Sequence, residues 1–296
     1  MPELLIHGRR LAYREAGGDG PTVLLVHGIT NSSRTWTPVT ERLAEHGLHV
    51  LAPDLPGHGD SQRRRGDHSL GATASILRDF LSVVDVERLT LVGHSLGGGI
   101  VMQFSYQFPE AVQRMVLVSS GGLGREVSLA VRAATLPFAE QVIGVGASWP
   151  MTRAAGLVGG ALGRVGLKPG GDFEEIMEGL TSLSDRERRQ AFVRTARSVI
   201  TPRGQRVLAE DKLYLAAGIP TLLVAGARDS VIPAEHTRAA GRLAPASRLE
   251  IFEESGHFPH LEEPDRFADL VAAFVGETKP ARFDRAVARQ RIIEGS

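Results

Sequence analysis

The sequence predicts a doubly wound α/β fold, a mostly parallel sheet flanked by helices and interrupted once by a helical insertion. Three observations point to it. Short continuous apolar runs such as Thr22–Val26 and residues 49–52 read as strands buried on both faces. Amphipathic stretches at helical spacing separate them, which is the rhythm of βαβ units. That rhythm stops at Ser119-Ser-Gly-Gly122 and resumes near Ile219.

The elements follow in order. Residues 4–6 and 11–14 read as a hairpin around Gly8, and strand 22–26 comes next. Helix 36–44, strand 49–52, helix 72–84 and strand 89–92 continue the alternation, each helix carrying apolar residues at roughly 3.6-residue spacing. A helix broken at Pro109 leads into strand 112–118. Residues 123–212 then contain no clear buried strand. They hold amphipathic pieces over 127–138, a Gly-rich run over 156–171, and helical spacing over 173–183 and 186–198. Strand 219–225, helix 234–243, strand 248–252 and helix 264–275 restore the pattern and bring the sheet to eight strands. The expected organisation is a core over 1–122, a helical lid over 123–212, a second core part over 213–276, and a tail over 277–296 read as a peripheral helix.

Bulk properties exclude several classes. The 34 basic residues balance 34 acidic ones, so nothing points to nucleic acid or an anionic membrane as partner. There is no cysteine, which rules out disulfides, thiolate metal sites and a cysteine nucleophile. The N-terminal segment reads as a strand and not a signal peptide, and the apolar stretch 142–167 is interrupted by Pro150, Arg153 and Arg164. A cytoplasmic protein is expected; oligomeric state is not readable. No cofactor and no metal are expected. Gly97-Gly-Gly99 lacks the Lys-Ser/Thr of a phosphate loop, and His46 and His49 lack a partner pattern for a metal. Arg63-Arg-Arg65 reads as a solvated face.

The most informative segment is 89–106. An apolar run ends at Val92, Gly93-His-Ser-Leu-Gly97 makes a tight turn, and helical sequence follows. A sharp strand-to-helix turn lifts the Ser95 hydroxyl out of the backbone, and its cramped flanks require residues nearly free of side chain. A serine hydroxyl at neutral pH needs a base within hydrogen-bond reach, itself held by an acid. Sheets of this kind place functional groups in loops at the carboxyl ends of strands. Asp229 stands in the loop after strand 219–225, and His257 stands in the loop after strand 248–252.

Blander readings compete at each position. Asp229 lies near a helix start at Pro233 and suits a turn former or cap. The loop after the preceding strand, Ser119-Ser-Gly-Gly122, offers no rival carboxylate, and Glu253 and Glu254 are too close to His257 in sequence. Among other histidines, His27 reads as a structural tie, His94 as a packing residue pointing away from the elbow, and His260 as a rim residue. The amide of Leu96, opening a helix, is one expected oxyanion donor. The amide of Ile29 is the second, with Gly28 permitting the bend.

Taken together, His27-Gly28, Asp54-Leu-Pro-Gly-His-Gly-Asp-Ser61, Gly93-His-Ser-Leu-Gly97, Gly226-Ala-Arg-Asp229 and Ser255-Gly-His257 resemble the α/β-hydrolase superfamily. More narrowly they resemble its lid-bearing serine esterase, C–C hydrolase and haloperoxidase-like branch. The chain order Ser, Asp, His is that expected of the superfamily. The resemblance covers residues 22 to about 275 and implies the fold and the triad Ser95, Asp229 and His257. It implies a turn role for Asp54. It leaves the substrate open, because one scaffold hosts many chemistries. Serine at 95 disfavours the epoxide and haloalkane classes, which use aspartate there. His94, Leu96 and Phe258 depart from the Asn-Ser-Met elbow and post-histidine Trp of the C–C hydrolases.

The expected function is hydrolysis of carboxylic esters with small to medium apolar acyl groups, the partner being a small-molecule ester. C–C bond hydrolysis and a non-catalytic ligand receptor are the alternatives. Phe138, Val142, Ile143, Trp149, Met151 and Leu157 supply apolar area in the insertion, either as walls of an acyl pocket or as the lid's own core.

Overall fold

Eight strands form one sheet in the computed structural model, which describes residues 1–62, 66–148, 172–244 and 246–295. The first six strands are β1 (Glu3–Ile6), β2 (Arg9–Ala16), β3 (Thr22–Val26), β4 (His49–Pro53), β5 (Leu89–His94) and β6 (Val112–Val118). A long connection holds a separate two-stranded ladder, β7 (Ile200–Thr201) with β8 (Gly204–Gln205). The chain rejoins the sheet with β9 (Thr221–Gly226) and β10 (Arg248–Phe252). The spatial order is β1-β2-β4-β3-β5-β6-β9-β10, antiparallel only at β1–β2 and β2–β4.

The helices between strands are α1 (Thr37–Glu45), α2 (Leu70–Val83) and α3 (Leu96–Gln107). The connection adds α4 (Leu129–Ala133), α5 (Ala139–Gly146), α6 (Asp172–Ser182) and α7 (Arg186–Val199). The remainder are α8 (Ala234–Leu243), α9 (Pro259–Glu262), α10 (Pro264–Glu277) and α11 (Arg285–Glu294).

The continuous apolar runs have a direct cause. Successive strand side chains point to opposite faces. Leu24 and Val26 of β3 join Leu77, Phe80 and Phe104 beneath α2 and α3, while Val23 and Leu25 join Leu43, Phe267 and Phe274 beneath α1 and α10. With helices on both faces, every position of the strand must be apolar.

Local signals set the helix starts. Ser69 caps α2, its hydroxyl accepting from the Ala72 amide at 3.3 Å, so the helix begins two residues before the predicted Ala72. The glycines opening α3 answer to packing. A Cβ on Gly98 would lie 2.0 Å from Ser120 Oγ, whereas one on Gly99 would make ordinary contact with Leu70. The β7–β8 ladder was not expected, and at two residues per strand it is too short for a periodic signal. In the tail, α11 has no buried residue and reaches the body through Arg291, which donates to the Ala217 carbonyl. Among the described residues no helix is long and apolar enough to cross a membrane. The Gly-rich run, Trp149, Met151, Leu157 and the Arg63-Arg-Arg65 run lie outside the described residues.

Candidate active site

Ser95 joins β5 to α3 at φ 54°, ψ −115°, a conformation that side-chain-bearing residues avoid. Tertiary hydrogen bonds hold it there. Its amide donates to Val118 O at 3.0 Å, and its carbonyl accepts from Gly98 and Gly121 at 3.0 and 2.9 Å. A Cβ at Gly93 would fall 2.3 Å from Gly97 O, and one at Gly97 would fall 2.1 Å from Val26 O. The two glycines are therefore a steric requirement of the turn.

Asp229 and His257 arrive from the loops after β9 and β10. The Nδ1–H of His257 donates to Asp229 Oδ2 at 2.8 Å, with side-chain exposures of 4% and 0%. This donation leaves Nε2 as the unprotonated nitrogen of the neutral ring. The other carboxylate oxygen, Oδ1, accepts the amides of Val231 and Ile232, both at 2.8 Å. The capping role and the histidine-holding role thus coexist on different oxygens of one carboxylate. Of the nearby glutamates, Glu254 is committed to Arg228.

Four further histidines surround the elbow, all buried. His27 donates from Nδ1 to Gly28 O at 2.7 Å and accepts the Leu55 amide on Nε2 at 3.0 Å, so it ties two loops as a neutral ring. Burial, reinforced by His58, pushes it down to about 4. His58 donates from Nε2 to Ile29 O at 2.6 Å, and burial lowers it too. The expectation that His94 points away from the site needs correction. Its Nε2 lies 2.9 Å from His257 O, its ring is 4.8 Å from that of His257, and it lines the cavity beside Ser95. Burial and then His260 hold it well below the usual histidine range. Nor is His260 a rim residue. It is fully buried against Trp36, ring centroids 4.3 Å apart, because α9 turns it into the core, and burial pushes it down to about 3.

The amide of Leu96 belongs to the first turn of α3, where no intrahelical acceptor exists. The Gly28 carbonyl is turned toward the His27 ring and the Asn31 amide. In a trans peptide the N–H lies opposite the carbonyl, so the Ile29 N–H faces the other way. A Cβ on Gly28 would meet His94 Nδ1 at 3.2 Å and Ser95 Cβ at 3.4 Å. Its φ is not left-handed, so the glycine serves close approach and not the expected bend. Asp54 is buried and accepts the amides of Ser33 at 2.6 Å and Asp60 at 2.8 Å, which fixes the loop after β4.

Ser95, His257, Ile29 and Leu96 all line one cavity of about 430 Å³. One face of α3 forms a wall through Leu96, Gly99, Met102, Gln103 and Tyr106, a helical spacing that was legible but unread. The connection supplies Val131, Ile143, Leu180 and Phe192 opposite. Two expected wall residues do not take part. Phe138 is 74% and Val142 69% exposed, since Phe138 enters α5 at φ 63° and the buried residues there are Ala139 at the start of α5 and Ala147 just past its end. Sequence reading also missed Asp172 of α6, whose carboxylate accepts the His257 amide. Among the described residues no cluster of His, Cys, Asp or Glu could hold a metal ion. His46 and His49 take separate carboxylate partners after all, Asp269 and Glu15.

Comparison with known proteins returns one family model, described as the alpha/beta hydrolase family, matching residues 23–270. An uncharacterized protein of Mycobacterium tuberculosis is 44% identical over 98% of this chain and 85% of its own. A pimeloyl-[acyl-carrier protein] methyl ester esterase of Aeromonas salmonicida is 26% identical over 88% of this chain and 98% of its own. Among solved structures, a meta-cleavage product hydrolase from Pseudomonas fluorescens superposes with a TM-score of 0.72. At 21% identity, covering 94% of this chain and 98% of the other, that likeness is one of fold.

Proposed function

The chain belongs to the α/β hydrolase family, and from that premise we propose that it is a serine hydrolase acting on carboxylic esters of small to medium apolar acyl groups. The observation that carries this reading is the buried Asp229–His257 pair opening onto the same cavity as Ser95. Ser95 Oγ attacks the ester carbonyl while His257 Nε2 takes its proton. The tetrahedral oxyanion is received by the amides of Leu96 and Ile29, each such donor contributing about 3 to 4 kcal/mol in a preorganised site. Asp229 holds the ring tautomer and stabilises the imidazolium. His257 then protonates the departing alcohol, and water activated by the same ring releases the acid.

Residues 123–212 act as the lid over a core of 1–122 and 213–276, with the tail 277–296 outside the site. An apolar lining favours an acyl chain over the acidic dienone of a C–C hydrolase. Among the described lining residues Lys212 alone carries a permanent charge, and none is an arginine. Fluorophosphonate labelling and turnover of p-nitrophenyl esters test the reading. Wild type is expected to label at one serine, and Ser95→Ala to lose label and turn over 10³- to about 10⁶-fold more slowly. Undiminished turnover in that variant rejects the mechanism.

A further inference from the structure

Asp172 opens α6 in the connection, yet the residue is only 6% exposed and its carboxylate sits between the loops that carry Asp229 and His257. Oδ1 accepts the backbone N–H of His257, and Oδ2 accepts the hydroxyl of Ser230 at 3.1 Å. Ser230 directly follows Asp229. One carboxylate therefore ties the loop after β9 to the loop after β10. A Cβ on Gly256 would come 2.4 Å from Asp172 Oδ1, so the carboxylate lies flush against the backbone of the second loop.

The carbonyl side of His257 is held as well. His94 Nε2–H donates to His257 O at 2.9 Å, from the residue before Ser95. The backbone of His257 is thus gripped at its N–H from the connection and at its C=O from the elbow. Glu262 accepts the neighbouring Gly256 amide at 2.8 Å, and Glu263 accepts the Ser255 hydroxyl at 2.6 Å. A ring that must meet Asp229 on one nitrogen and Ser95 on the other tolerates little drift, since a displacement of about 1 Å costs on the order of 10²-fold in rate.

We propose that Asp172 is a positioning residue, which sets the His257 ring by fixing its backbone N–H and by locking its loop to that of Asp229. The proposal rests on the serine-hydrolase reading. It makes the connection a contributor to the base as well as to the cavity wall. The groups facing His257 are Asp229 from the loop after β9, Asp172 from α6, His94 from β5, and His260 and Glu262 from α9.

Kinetics of Asp172→Ala and Asp172→Asn with p-nitrophenyl butyrate test this, alongside Ser95→Ala. Asp172→Ala should lower kcat about 10- to 100-fold with KM within about twofold of wild type. Asparagine keeps an acceptor for the His257 amide, and the Ser230 hydroxyl can turn to accept from its NH₂. Asp172→Asn should therefore recover kcat to within about threefold. Should Asp172→Ala fail to fold by circular dichroism, Ser230→Ala supplies the measurement, with a fall in kcat at constant KM expected. A kcat within threefold of wild type in folded Asp172→Ala, a loss confined to KM, or no rescue by asparagine overturns the proposal. Absence of Ser95-dependent turnover in wild type rejects the serine-hydrolase reading itself, a separate outcome.

Discussion

Nδ1 of His257 and Oδ2 of Asp229 are 2.8 Å apart and shut away from solvent, while Oδ1 of the same aspartate caps the turn at Val231 and Ile232. The two oxygens do separable work, and substitution can part them.

Asp229→Asn keeps an oxygen for the two turn amides but presents the histidine with the wrong partner. Ester turnover should fall about 10⁴-fold while the melting temperature stays close to wild type. Asp229→Ala should lose the same activity and a further ~1 to 2 kcal/mol of stability, because the two amides lose their acceptor. Equal melting curves for the two variants would show that the cap contributes nothing.

Ser95 stores backbone strain at φ 54°. Glycine adopts such a conformation freely, so Ser95→Gly should be more stable than Ser95→Ala by about 1 to 2 kcal/mol, with both variants inactive. Calorimetry of the pair decides it.

The glycines around the elbow should rank by clearance. A methyl at Gly97 meets the Val26 backbone oxygen at 2.1 Å, so Gly97→Ala should cost more than about 3 kcal/mol or prevent folding. Gly28→Ala meets side-chain atoms at 3.2 and 3.4 Å. It should fold, and turnover should drop because His94 and Ser95 are displaced. Urea unfolding with activity on the same samples measures both.

Acid should destabilise the fold through its buried histidines. Burial pushes His27 down to about 4 and His260 down to about 3 in the folded chain, against 6.5 for a free imidazole. Between those values and 6.5 the unfolded chain binds protons that the folded chain refuses. Stability therefore declines as pH falls from 6.5, and the loss saturates near pH 3. His27 alone accounts for a loss on the order of 3 kcal/mol. His260→Phe, which keeps an apolar ring beside Trp36, should flatten the dependence in melts recorded from pH 7 to pH 4.

The cavity should reward acyl length. Each methylene buried against Met102, Val131 or Phe192 contributes ~0.8 kcal/mol, so kcat/KM should climb about fourfold per carbon across a p-nitrophenyl ester panel until the space is filled. A panel flat from acetyl to hexanoyl would argue against an apolar acyl site.

Much of this architecture is legible along the chain because its causes are local. A strand covered on both faces must be continuously apolar, as β3 is, and a strand-to-helix turn as tight as Gly93 to Gly97 admits little besides glycine. Ser95, Asp229 and His257 each stand in the turn or loop that follows an apolar strand, so parallel strand order directs them to one edge of the sheet. Other features depend on contacts between distant segments and leave no periodic trace. Asp172 meets His257 across 85 residues, and His260 is driven into the core by the short helix α9. Phe138 faces outward because its backbone is left-handed, which apolar composition does not reveal. Hydrophobic pattern and turn chemistry thus determined the sheet, its order of elements and the residues at its carboxyl edge. Only the packing of loops and connection against that edge decided which distant donors the carboxylates of Asp172 and Asp229 meet, since those partners are chosen in space and not along the chain.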